Sequence, residues 1–127
     1  MATPPPSFKH LGFLDGLRAV AAMYQPAHPA VLRLLQTVVE AAHRNNIWVG
    51  VCGEMAADVV LMPALVGLGV DELSAGATSI PRIKRAIQAL NYEEARQLVS
   101  RCVLNESAEE NQRQLLEMAQ RLYPEIL

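Results

Sequence analysis

The sequence predicts an α/β fold made of parallel βα units. Two observations carry this. Two short, β-rich apolar runs alternate with amphipathic helical stretches, and the last third of the chain has helical pattern only. The chain has 127 residues, 51% of them hydrophobic and 19% charged, so it can build a core and does not have the composition of a disordered chain. A formal net charge of -2 gives no electrostatic case for nucleic acid or an anionic membrane.

Met1 to Ser7, with Pro4-Pro5-Pro6, reads as a disordered leader without the charged-then-apolar pattern of a signal sequence. Phe8 to Tyr24 is apolar but lacks clean periodicity. Pro26 and Pro29 break the chain, and His28 is placed to cap a helix that Pro29 begins. The spacing then predicts a helix to about Arg44, with Val31, Leu34, Leu35, Val38, Ala41 and Ala42 on its apolar stripe and Asn45-Asn46 as its stop. Ile47 to Cys52 reads as a strand covered on both faces, because it is almost wholly apolar. Ala56 to Leu68 is a second helical stretch, with Gly67 and Gly69 marking its end. Val70 to Ser74 reads as a second strand.

Ser79 is placed to cap the next helix, with Pro81 in its first turn and Ile83, Ile87 and Leu90 on one face. Asn91 with Glu94 and Ser107 with Glu110 resemble capping boxes at the heads of two further helices. Ala95, Leu98, Val99 and Cys102 form the stripe of one; Leu115, Met118, Ala119 and Leu122 form that of the other, which Pro124 stops. Two parallel strands cannot hide their edges and both faces. A complete (β/α)8 barrel (TIM barrel) takes about 250 residues. The expectation is therefore a partial (β/α)8 barrel: its last βα units, followed by extra C-terminal helices.

Cys52-Gly53-Glu54 is the sharpest local feature, standing where a strand gives way to a loop. In a parallel barrel that is the C-terminal face, where reacting groups collect. A thiol there can serve as nucleophile, metal ligand or proton donor. The plainer alternative is a small buried hydrophobe at a strand end. Glu54, if ionised and near, would keep the proton on the sulfur by like-charge repulsion. With only Cys52 and Cys102, far apart, neither a disulfide framework nor a metal site is indicated, and a reducing, cytoplasmic setting is the simplest reading. The longest apolar run, Val59 to Val70, is too short for a membrane span.

The other candidates have bland readings. His10 is a solvated leader residue, His28 a cap, and His43 a helix-end cation. Trp48 is core or interface, Arg82, Lys84 and Arg85 a solvated helix face, and Cys102 packing.

Four stretches stand in order: His28-Pro29-Ala30-Val31-Leu32-Arg33-Leu34, Gly50 to Ala56, Leu65 to Ser74, and Ser79-Ile80-Pro81-Arg82-Ile83-Lys84. Together they resemble the C-terminal end of the phosphoenolpyruvate–protein phosphotransferase family, Enzyme I of the bacterial sugar phosphotransferase system. The likeness runs from about Ala19 to the end, leaving residues 1–18 as an unmatched leader. Pyruvate phosphate dikinase and phosphoenolpyruvate synthase share the Cys-Gly motif. The resemblance implies a barrel that binds phosphoenolpyruvate with Mg2+ and passes its phosphoryl group to a protein histidine. It further implies that the cysteine protonates the enolate to give pyruvate, a role that carries over to Cys52.

The departures from the family pattern imply an incomplete machine. The family's Asn-Asp landmark would fall at Pro4-Pro5, and the arginine that follows it near Asp15, with Arg18 close by in unmatched sequence. The family's Mg2+ ligands and arginine cluster come from earlier strands that this chain lacks, as it lacks the phosphohistidine domain. The N-terminal boundary therefore reads as that of a truncated or frame-shifted gene. The expectation is a chain inactive by itself. The rival expectation is a non-catalytic oligomerisation or interaction module, or a remnant, derived from that barrel. An incomplete barrel exposes apolar surface that favours a homo-oligomer.

Overall fold

The computed structural model describes residues 25–127. The expectations for Met1 to Tyr24, including His10, Arg18 and the leader, lie outside the described residues. Helix α1 runs Pro29–Arg44 and strand β1 Gly50–Cys52; short helix α2 (Glu54–Ala57) and helix α3 (Met62–Leu68) lead to strand β2 (Glu72–Ser74). Helices α4 (Ile80–Ala89), α5 (Tyr92–Cys102) and α6 (Ala108–Leu122) follow, and a 3-10 turn spans Pro124–Ile126.

The two strands pair in parallel, Gly50 with Glu72, Val51 with Leu73 and Cys52 with Ser74. Both strands are shorter than the sequence pattern predicts. Ile47 and Trp48 fall outside β1, and Trp48 is 66% exposed, so of the two readings, core or interface, core does not hold. The two-sided burial of the strand is corrected as well. Val51 and Leu73 pack on the helical core, while Gly50, Cys52, Glu72 and Ser74 on the other face are exposed. A parallel sheet hides both faces only when a second layer covers it. Among the described residues, helices cover one face.

The core has two clusters joined through α3. Leu32, Leu61, Leu98, Val99, Cys102 and Leu115 fill one, between α1, α3, α5 and α6. Val59, Met62, Leu65, Ile83, Ala119 and Tyr123 fill the other, beneath the strands. Met62, Pro63, Ala64, Leu65, Gly67 and Leu68 of α3 are all buried, as a helix apolar on every side must be. Gly67 lies inside this helix and does not end it. A Cβ built on Gly67 would stand 2.6 Å from the Ala95 carbonyl carbon and 2.8 Å from Val99 Cγ2, so the α3–α5 crossing requires glycine. Gly69 is the actual cap, at φ 83°.

The caps follow the sequence with one exception. His28 Nδ1 accepts from Ala30 N–H at 3.1 Å, Asn91 Oδ1 from Glu94 N–H at 3.1 Å, and Ser107 Oγ from Glu110 N–H at 3.2 Å. Ser79 instead has helical backbone and makes no side-chain cap. The capping boxes are one-sided, because Glu94 pairs with Arg121 at 2.7 Å and Glu110 with Arg113 at 2.6 Å. The expected helix from Ala56 to Leu68 is split: Asp58 Oδ1 accepts from Val60 N–H at 2.9 Å and turns the chain between α2 and α3. Helix α1 buries Leu32 and Val39 and exposes Leu34 and Val38, a face rotated from the expected stripe.

Two long-range ties close the fold. Asn111, fully buried, donates to the carbonyls of Ala27 (2.8 Å) and Cys102 (2.9 Å) and accepts from Asn105 at 2.7 Å. The Tyr123 hydroxyl donates to the Val59 carbonyl at 3.0 Å, and burial pushes its pKa up.

Candidate active site at the carboxyl rim of the sheet

Cys52 is the last residue of β1, a free thiol, and exposed. The chain leaves the strand through Gly53 at φ 76°, ψ −151°, a conformation essentially closed to residues with a side chain. No atom lies within 4 Å of a Cβ built there, so the requirement for glycine is one of backbone and not of space. The Gly53 N–H donates to the Ser74 carbonyl at 3.2 Å, which holds the two strand ends level. Glu54 then starts α2, exposed. Cys52, Glu72 and Ser74 thus share the bare face of the sheet, with Cys52 and Ser74 at its carboxyl rim.

Cys102 has the opposite environment. It is fully buried, and desolvation pushes its thiol up to about 11, with Glu110 adding to the rise and Arg101 opposing it. A thiol so placed is chemically quiet at neutral pH. Of the two cysteines in the sequence, Cys52 alone is open to a substrate.

At the other end of the strands, His43 donates from Nε2 to Asp71 Oδ2 at 2.8 Å, and the Val49 N–H donates to the same oxygen at 2.8 Å. This ties the end of α1 to the approaches of both strands. The hydrogen bond from His43, then that from Val49, holds the Asp71 carboxyl below its ordinary range. Sequence reading assigned His43 to a helix end and passed over Asp71. Periodicity carries no signal for a pair 28 residues apart.

The basic residues Arg82, Lys84 and Arg85 of α4 are exposed, as expected of a solvated face, and two of them also carry contacts. Arg82 donates from Nε to the Ile126 carbonyl at 3.1 Å, and Arg85 pairs with Glu125 at 2.8 Å, both fastening the C-terminal turn. An open cleft of about 650 Å3 between α4 and β2 is lined by Val70, Leu73, Ile80, Ile83, Lys84 and Ile87, among others. A second of about 560 Å3 is lined by His43, Arg44, Tyr92 and Arg96, among others. Cys52 lines neither. Among the described residues, no three His, Cys, Asp or Glu side chains group closely enough to hold a metal ion, and no helix is long and apolar enough to cross a membrane.

Comparison with known proteins bears directly on this rim. The chain is 47% identical over 91 residues to a phosphoenolpyruvate-protein phosphotransferase of Staphylococcus carnosus, covering 72% of this chain and 16% of that protein. It is 44% identical over 95 residues to the phosphoenolpyruvate-protein phosphotransferase of Latilactobacillus sakei, covering 74% and 17%. A relative of the same description from Staphylococcus epidermidis is 45% identical over 91 residues. The chain thus spans about a sixth of the length of these relatives. The sequence profile of the PEP-binding domain of PEP-utilising enzymes matches residues 15–92, a stretch that holds α1, both strands and the Cys52 rim. On that match, the chain belongs to the PEP-utilising enzyme family and carries part of its PEP-binding domain.

Proposed function

We propose that this chain is the closing segment of a phosphoenolpyruvate-binding (β/α)8 barrel and that Cys52 is the proton donor of its reaction. The parent reaction transfers the phosphoryl group of phosphoenolpyruvate to a protein histidine. The P–O bond breaks and its electron pair remains on the enolate. The methylene carbon of the enolate then takes the proton from Cys52 Sγ, giving pyruvate and a thiolate, which water reprotonates. The observation that carries this reading is the position of Cys52: exposed, at the carboxyl end of a parallel strand, on the sheet face opposite the helices, within the family match. The barrel part runs from about residue 19, after a leader.

Mg2+ belongs to the parent reaction, where it neutralises the phosphate. The described residues do not fit it, because they contain no grouped set of metal-ligating side chains. No step here passes through the metal. Phosphoryl transfer depends on positioning and charge neutralisation. The chain alone is therefore expected to leave phosphoenolpyruvate intact.

A chimera tests both parts. The segment of the Staphylococcus carnosus relative that aligns with this chain is replaced by the corresponding residues. The chimera should release pyruvate from phosphoenolpyruvate, and Cys52→Ala should slow that release by about 10²–10⁴-fold, the usual contribution of a general acid. A Cys52→Ala chimera as fast as its parent refutes the proton-donor role. Turnover of phosphoenolpyruvate by the pure chain refutes the incomplete-barrel reading.

A further inference from the structure

The strand register gives Cys52 a defined neighbour. Cys52 and Ser74 are partners in the parallel pair, and the hydrogen bond from Gly53 N–H to the Ser74 carbonyl fixes that register at its last position. Adjacent strands lie about 4.8 Å apart, and residues in register send their side chains to the same face. Both residues are exposed. Glu72 stands on the same face, opposite Gly50, over which the Trp48 ring lies. The rim therefore presents a thiol and a hydroxyl side by side, with a carboxylate one pleat behind.

We infer that Ser74 is a positioning residue for proton transfer at Cys52: its hydroxyl donates a hydrogen bond to the thiolate left when the sulfur gives up its proton. This rests on the role of Cys52 proposed above. In that step the S–H bond breaks, a C–H bond forms on the substrate, and the electron pair stays on sulfur. Ser74 keeps its own proton. A neutral thiol is a weak acceptor and a serine hydroxyl rotates freely, so the bond forms as the charge develops. Bonds to ionised acceptors are about twice as strong as neutral ones.

Iodoacetamide alkylation of the full chain at pH 7, followed by mass spectrometry, reads this directly, with buried Cys102 as the slow internal reference. Ser74→Ala should slow alkylation of Cys52 by about threefold, because the lost thiolate is partly offset by the higher nucleophilicity of the less stabilised sulfur. Ser74→Thr, which keeps the hydroxyl, should restore the original rate. An unchanged rate in Ser74→Ala overturns the inference. So does equal slowing in both variants with a lowered melting temperature, which would mark Ser74 as a packing residue. Alkylation involves no phosphoenolpyruvate, so its failure leaves the proposed function standing. Conversely, an active Cys52→Ala chimera removes that function without bearing on the thiol–hydroxyl pair.

Discussion

Asp71 gathers two donors on one oxygen, the His43 imidazole and the Val49 N–H. Both favour its ionised form, and its pKa is lowered accordingly. A carboxyl depressed in the folded state contributes stability above its unfolded pKa of about 3.9 and loses it as pH falls through the folded value. Asp71→Asn should therefore be less stable than the parent at pH 7, and urea midpoints of the two should converge below about pH 4. A gap that persists at low pH would show that the carboxylate charge is not what holds α1 to the strands. Residue by residue, the strand end at Cys52 was legible, because a β-rich apolar run ending in Cys-Gly is a local signal. The sequence did not show Asp71 or Asn111, whose partners are supplied by distant parts of the chain.

At the scale of elements, α3 against α5 is the contact most sensitive to volume. The Ala95 carbonyl and the Val99 side chain occupy the space a Cβ on Gly67 would need. Gly67→Ala should force the helices apart and cost about 1–3 kcal/mol in urea unfolding, the usual range for overpacking. Stability equal to the parent would show that the crossing yields without strain. The helices themselves were legible: α1, α4, α5 and α6 begin and end close to where caps and prolines place them. The face of α1 was not. Apolar residues occur on several sides of that helix, so spacing alone does not choose between the Leu32–Val39 face and the Leu34–Val38 face; packing on α3 and α5 does. The strands shrank for a related reason. Apolar composition at Ile47 and Trp48 signals burial, but strand pairing begins only at Gly50.

For the molecule as a whole, six of the nine large exposed apolar residues among the described residues are Leu34 and Val38 on α1, Ile47 and Trp48 before β1, and Ile80 and Ile87 on α4. In the proposed barrel, neighbouring βα units would cover such surface. Without them, such surface favours association. Gel filtration should show the chain larger than its 13.9 kDa monomer, and Leu34→Ser combined with Trp48→Ser should shift it toward the monomer. A compact monomer at every concentration would tell against this. The α/β class was readable from alternation alone, and the two-stranded parallel sheet bears it out. That the Cys52 face of the sheet is exposed was not readable, because an almost wholly apolar run indicates cover on both faces.

The ties made by Asn111 and Tyr123 also bear on how fast the native state is reached. They join residues 84 and 64 positions apart. Each contact must wait for a long loop to close, an entropic cost met before any bond repays it. A chain this rich in helix would otherwise be expected among the rapid folders. These two non-local clasps add to its contact order, which slows folding relative to a chain held by local contacts alone.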